Sequence, residues 1–219
     1  MNIDYFIYQP PYRKRGRNMF FNYPVPHYTV GKGDLHIFYH GNATDALISL
    51  NNDVRNKQGK YMYIEYPGYG NHPNDEVSTS VILTEVSLLA EWIIKGKYNV
   101  HIVGQSIGTG PACYLAYLLH TSGLIKDVEL VTPFSNMNRL ATDYTYLLGY
   151  FVWNCYPNDK YLEEIIKAGY VTRDKIIIHH GTNDQIISYN HAKTLSCYGT
   201  LKTYKGATHN NIPWKTISR

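Results

Sequence analysis

Three residues of this chain have the types, the order and the local settings that acyl transfer needs: Ser106, Asp184 and His209. Ser106 lies in Gly104-Gln105-Ser106-Ile107-Gly108, between a short run from Asn99 to Val103 and an apolar stretch from Gly110 to Leu119. The first reads as a buried strand and the second as a helix. A G-x-S-x-G at such a strand-to-helix turn is a nucleophile elbow. Its glycines have a steric reason, because the turn presses the positions two before and two after the serine against neighbouring backbone. The serine then sits at the positive end of the following helix, where developing negative charge is favoured.

A serine hydroxyl is a weak nucleophile and needs a base within hydrogen-bond reach. Asp184 follows the strand-like run Lys175 to His179, and His209 follows the run Leu201 to Tyr204. The order Ser, Asp, His, each after a predicted strand, differs from both protease orders. His209 is then the base and Asp184 the residue that orients it. An oxyanion hole needs two donors. One is the backbone N–H of Ile107, and the other is assigned to Asn42 in His40-Gly41-Asn42-Ala43, with Gly41 as the alternative. Other groups fit less well. His179 and His180 read as structural or loop residues, His101 as a core histidine and His40 as a brace for the oxyanion loop. Asp143, Asp159 and Asp174 lack the strand-end setting of Asp184.

The elements that must position these residues alternate. Strands are predicted at 34–40, 61–66, 99–103, 128–131, 175–179 and 201–204. A helix carries Ile82, Val86, Leu89 and Ile93, one apolar stripe that faces a sheet. Strands separated by helices imply a mostly parallel sheet with helices on both faces, and a site at the carboxyl ends of the strands. Residues 1–33, with Pro10, Pro11, Pro24 and Pro26, read as an irregular opening segment. Residues 135–172 read as a small cap-like insertion. Within it Tyr144, Leu147, Leu148, Phe151 and Trp153 recur at helical spacing, either as core packing or as the lining of an acyl pocket.

Size and composition are those of a single globular domain: 219 residues, 44% hydrophobic and 17% charged. The net charge of +4 is mild, and the one basic cluster, Arg13 to Arg17, reads as a solvated loop rather than a membrane or RNA patch. No nucleic-acid partner is expected. No secretory leader is expected, and the sequence holds no apolar run long enough to span a bilayer. Cys113, Cys155 and Cys197 read as reduced thiols, and the expected location is intracellular, in the cytoplasm. No metal or other cofactor is expected.

With the motifs placed, the chain resembles the α/β-hydrolase superfamily, and most closely the group of the alpha/beta-hydrolase-domain 17 depalmitoylases and the domain 13 proteins. The matching text is Tyr39 to Ala43, Tyr66-Pro67-Gly68-Tyr69-Gly70, Gly104 to Thr109, His180 to Ile187 and Gly206 to Ile212. Phe6 to Pro11 is also similar to the group's entry segment. The resemblance spans about residues 34 to 213. It implies an α/β-hydrolase fold, here with shortened N- and C-terminal ends, and Ser106, Asp184 and His209 as the triad. The implied activity is that of a serine hydrolase acting on an ester or thioester, with acyl-protein thioesters as one substrate class. Many members carry arginine where this chain has Pro67. The depalmitoylases reach membranes through an N-terminal cysteine cluster, and residues 1–112 contain no cysteine. Peripheral membrane contact stays open. A catalytically silent binding protein and a serine peptidase remain the alternative readings.

Overall fold

The computed structural model describes residues 4–11, 24–52, 59–144, 155–214 and 217. Seven strands are present among them: β1 (His27–Lys32), β2 (Leu35–Tyr39), β3 (Gly59–Ile64), β4 (Val100–Gln105), β5 (Ile125–Val131), β6 (Ile176–Gly181) and β7 (Thr200–Tyr204). They form one sheet in the order β1-β3-β2-β4-β5-β6-β7. Every pairing is parallel except β1 with β3. The six predicted strands are all there, and their carboxyl ends lie on one edge of the sheet. Order reverses beside β2 and β4, the kind of switch point at which open parallel sheets place their sites.

The expectation of an irregular segment up to residue 33 is corrected at two places. Asp4–Ile7 form a short helix, α1, and His27–Lys32 form β1. The strand escaped notice because only its first residue is buried, while Tyr28 to Lys32 face or edge toward solvent. It therefore lacks the apolar alternation by which a half-buried strand is recognised. Pairing with β3 places it at the sheet's edge.

Helices cover both faces. On one side lie α3 (Thr79–Gly96), α4 (Thr109–Leu119), α6 (Asn158–Ala168) and α7 (Tyr189–Leu195), after the short α5 (Met137–Tyr144). On the other lie α2 (Ala46–Asn52) and the C-terminal residues Ile212, Trp214 and Ile217. Alternate strand residues feed the two cores: Ile37, Met62, Ile102 and Leu130 into the larger, Phe38, Tyr63, Val103 and Val131 into the smaller. The stripe of Ile82, Val86, Leu89 and Ile93 is buried as its spacing requires. Each such side chain is worth about 1.5–3 kcal/mol relative to exposure. The Ser78 hydroxyl caps α3 by accepting from the Val81 amide at 3.3 Å. The central α4 is buried on most of its circumference, which explains why it is apolar nearly throughout.

Candidate active site

Ser106 sits directly after β4, in a one-turn 3₁₀ segment that runs into α4. Its φ is +53°, a left-handed conformation that a non-glycine residue adopts only at a cost. The flanking glycines are required by contact. A Cβ on Gly104 would lie 2.6 Å from the Gly108 carbonyl oxygen, and one on Gly108 would lie 2.3 Å from that of Tyr39. Either methyl would force the turn apart.

Asp184 lies in the turn after β6, and His209 in the loop after β7. The two loops are stitched together: the Asn183 amide donates to the Ala207 carbonyl at 2.9 Å, and the Gly206 amide donates to the Thr182 hydroxyl at 2.8 Å. The result is a continuous hydrogen-bonded row. Ser106 Oγ is 2.9 Å from His209 Nε2, and His209 Nδ1 is 2.7 Å from Asp184 Oδ2. Because a carboxylate only accepts, Nδ1 carries the proton and Nε2 is left to accept from the serine. Ser106 and His209 are each 8% exposed, enough to touch an incoming group, while the Asp184 side chain is fully buried.

Four donors meet the Asp184 carboxylate. Oδ1 accepts from the Ile186 and Ile187 amides, both at 2.9 Å, and Oδ2 takes His209 Nδ1–H together with His180 Nε2–H at 3.2 Å. Burial opposes the charge, but hydrogen bonds from His180, His209 and the Ile187 amide outweigh it and hold the carboxyl far below its ordinary range. His180 is the residue that the sequence reading missed. It reads as structural there, yet its fully buried ring shares its Nε2–H between Asp184 and the Ile187 carbonyl at 2.9 Å. Its spacing of four from Asp184 across a turn was the available signal.

The remaining expectations divide. His40 is fully buried behind the Gly41–Asn42 loop, its Nε2 3.3 Å from Glu65 Oε1, consistent with a brace. His179 is buried between Glu129 and Tyr204. His101 is no core histidine: it is partly exposed, stacks on His36 and bonds Asp127 at 2.7 Å. Asp159 caps the amide of Lys160 and accepts from Asn136. Ile107 follows Ser106 in the 3₁₀ turn, and Asn42 lies in the loop after β2. Of the aromatic insertion, Tyr144 ends α5 and its hydroxyl donates to the Ile186 carbonyl at 3.0 Å, beside the acid. Leu147, Leu148, Phe151 and Trp153 lie outside the described residues, as does the Arg13 to Arg17 cluster.

Known proteins share this fold. The human alpha/beta hydrolase domain-containing protein 17B is 30% identical over 199 residues, which cover 80% of this chain and 60% of that protein. The chain has the α/β-hydrolase fold. It spans about 60% of the length of the curated relatives it matches. Among solved structures, an esterase from Exiguobacterium antarcticum superposes with a TM-score of 0.54 at 17% identity, covering 84% of this chain and 88% of that one. Acyl-protein thioesterase 2 of Zea mays gives 0.55 at 13%, covering 88% and 94%. At those identities the likeness is one of fold. No family model matches the chain. No helix among the described residues is long and apolar enough to cross a membrane.

Proposed function

We propose that this α/β-hydrolase is a serine hydrolase that cleaves an ester or thioester through an acyl-enzyme on Ser106. The observation that carries the reading is the unbroken row Ser106–His209–Asp184, with a strained serine at one end and a fully buried carboxylate at the other. As Ser106 Oγ attacks the acyl carbon, its proton passes to His209 Nε2, and Asp184 stabilises the imidazolium that results. The carbonyl oxygen becomes an oxyanion facing the Ile107 and Asn42 amides, at the amino end of α4. Collapse breaks the bond to the alkoxide or thiolate leaving group, which takes the proton from Nε2. Water then repeats the sequence and releases the acid.

The resemblance to the domain 17 depalmitoylases supports acyl-protein thioesters as one substrate class, and Tyr144 beside the acid loop offers an apolar edge for an acyl chain. A cytoplasmic setting accords with three unpaired cysteines. The test is turnover of p-nitrophenyl and thio-acyl esters of graded chain length by the wild type and by Ser106→Ala. Loss of a triad nucleophile costs on the order of 10⁶ in kcat. A Ser106→Ala protein that turns over within tenfold of wild type would refute the acyl-enzyme.

A further inference from the structure

Asn42 is half-buried, and its carboxamide is spent on hydrogen bonds within the protein. Its Nδ2 donates to the Ile7 carbonyl at 2.8 Å, while Oδ1 accepts from the Tyr69 hydroxyl at 2.7 Å and from the Gln9 amide at 3.2 Å. One carboxamide thus joins three segments distant in sequence: residues 7–9, the 40–43 loop and the Tyr66–Gly70 turn. The next residue, Ala43, has φ +54°, a left-handed conformation that non-glycine residues hold only when their surroundings impose it. Its amide donates to the Gln9 carbonyl at 2.9 Å, so three hydrogen bonds join residues 7–9 to the loop. On the other side, the Tyr66 hydroxyl donates to the His40 carbonyl at 2.8 Å. The loop so held runs against the nucleophile: a Cβ on Gly41 would lie 3.5 Å from that of Ser106.

We propose that the Asn42 carboxamide is a positioning residue that pins the 40–43 loop to residues 7–9 and to Tyr69, thereby fixing the backbone amide that faces the oxyanion. The proposal rests on the serine-hydrolase reading. Its consequence is that residues 7–9, far from the triad in sequence, are part of the active-site frame. An oxyanion donor acts only where it stands within hydrogen-bond distance of the oxygen in the transition state. A misplacement of about 1 Å costs on the order of 10²-fold in rate. Without its three hydrogen bonds the loop is free to relax the strain at Ala43 and carry the amide off target. Burial raises the Tyr69 phenol far above its ordinary range, so this donor stays protonated at any working pH.

Asn42→Ala keeps the backbone N–H and removes only the fastening. Tyr69→Phe removes one donor and touches neither Ser106 nor substrate. Each variant is read in two ways: amide hydrogen exchange over residues 4–11 and 40–45, and kcat and KM on one acyl ester alongside the rate of fluorophosphonate labelling. Asn42→Ala should speed exchange in both segments together, and should lower kcat and the labelling rate by about 10–100-fold while KM changes less than threefold. Tyr69→Phe should do the same to a smaller degree, and the double variant should lose less than the product of the single losses. Faster exchange with kcat and labelling per folded molecule unchanged would leave Asn42 as mere structural glue and overturn the proposal. Unchanged exchange in either segment would overturn the fastening itself. A wild type that neither turns over nor labels would refute the serine-hydrolase reading, and the oxyanion role with it, while exchange would still decide the fastening.

Discussion

A second row of the same three residue types lies among the described residues, and it differs from the first in strain, access and proton direction. Ser135 Oγ lies 2.9 Å from His191 Nδ1, and His191 Nε2 lies 3.0 Å from Asp143 Oδ2. These distances are close to those of Ser106, His209 and Asp184. The differences decide what each can do. Ser106 follows a strand end with φ +53° and reaches the surface, whereas Ser135 is fully buried. Among the described residues only the Ser106 hydroxyl donates to His209 Nε2, so it can accept a proton. The Nδ1 of His191 already receives the Ser135 amide at 3.0 Å as well as its hydroxyl. A proton there would meet an N–H. The carboxylates are reversed as well: Asp184 is buried under four donors, while the Asp143 side chain is 42% exposed. The second row is a bracket that ties the loop after β5 and helix α5 to α7. Chemistry follows from strain, access and the direction of each proton rather than from a list of residue types.

That contrast can be broken by mutation. Asp184→Asn should keep the fold but leave His209 without the partner that fixes its tautomer, lowering kcat by about 10⁴-fold. Asp143→Asn, the corresponding change in the bracket, should leave kcat within twofold. If Asp143→Asn removed activity and Asp184→Asn did not, the roles of the two rows would be exchanged.

Ser135→Ala should move stability and not catalysis. The Ser135 amide still satisfies His191, so the loss is that of one net hydrogen bond, about 1 kcal/mol. For a domain of this size that corresponds to a fall of roughly 2–4 °C in Tm, readable by calorimetry with kcat measured in parallel.

The smallest effect is in pH dependence. Burial, and then the Arg139 charge, lower the affinity of His191 for a proton, against the pull of Asp143. A histidine whose folded pKa is depressed is protonated first in the unfolded chain. Stability should therefore decline as pH falls below about 6.5, the unperturbed histidine value. The difference in Tm between pH 7 and pH 5 should be smaller in His191→Asn than in the wild type. Equal slopes would mean that His191 titrates as it does in the unfolded chain.

How far the sequence carried these conclusions depended on the kind of signal. Ser106, Asp184 and His209 were legible because each follows a strand end, and strand ends in a parallel sheet converge on one edge. The buried stripe from Ile82 to Ile93 was legible from its period. β1 was not, because Tyr28 to Lys32 bury too little to alternate. His180 and Asn42 were half legible. Both stood in recognised motifs, yet their side-chain partners are set by a turn and by residues 7–9, which no local pattern relates to them. The Ser135–His191–Asp143 bracket was invisible for the same reason: its members meet only through the packing of α5 on α7. Leu147, Leu148, Phe151 and Trp153 stay an expectation from spacing alone.

The central claim is that Ser106, and not any other serine, carries the acyl group. The most direct measurement is to label the folded protein with a fluorophosphonate and locate the adduct by peptide mass spectrometry. The account predicts a single stoichiometric adduct on Ser106, lost in Ser106→Ala and retained in Ser135→Ala. An adduct on Ser135, or a folded wild type that takes up no probe, would contradict it.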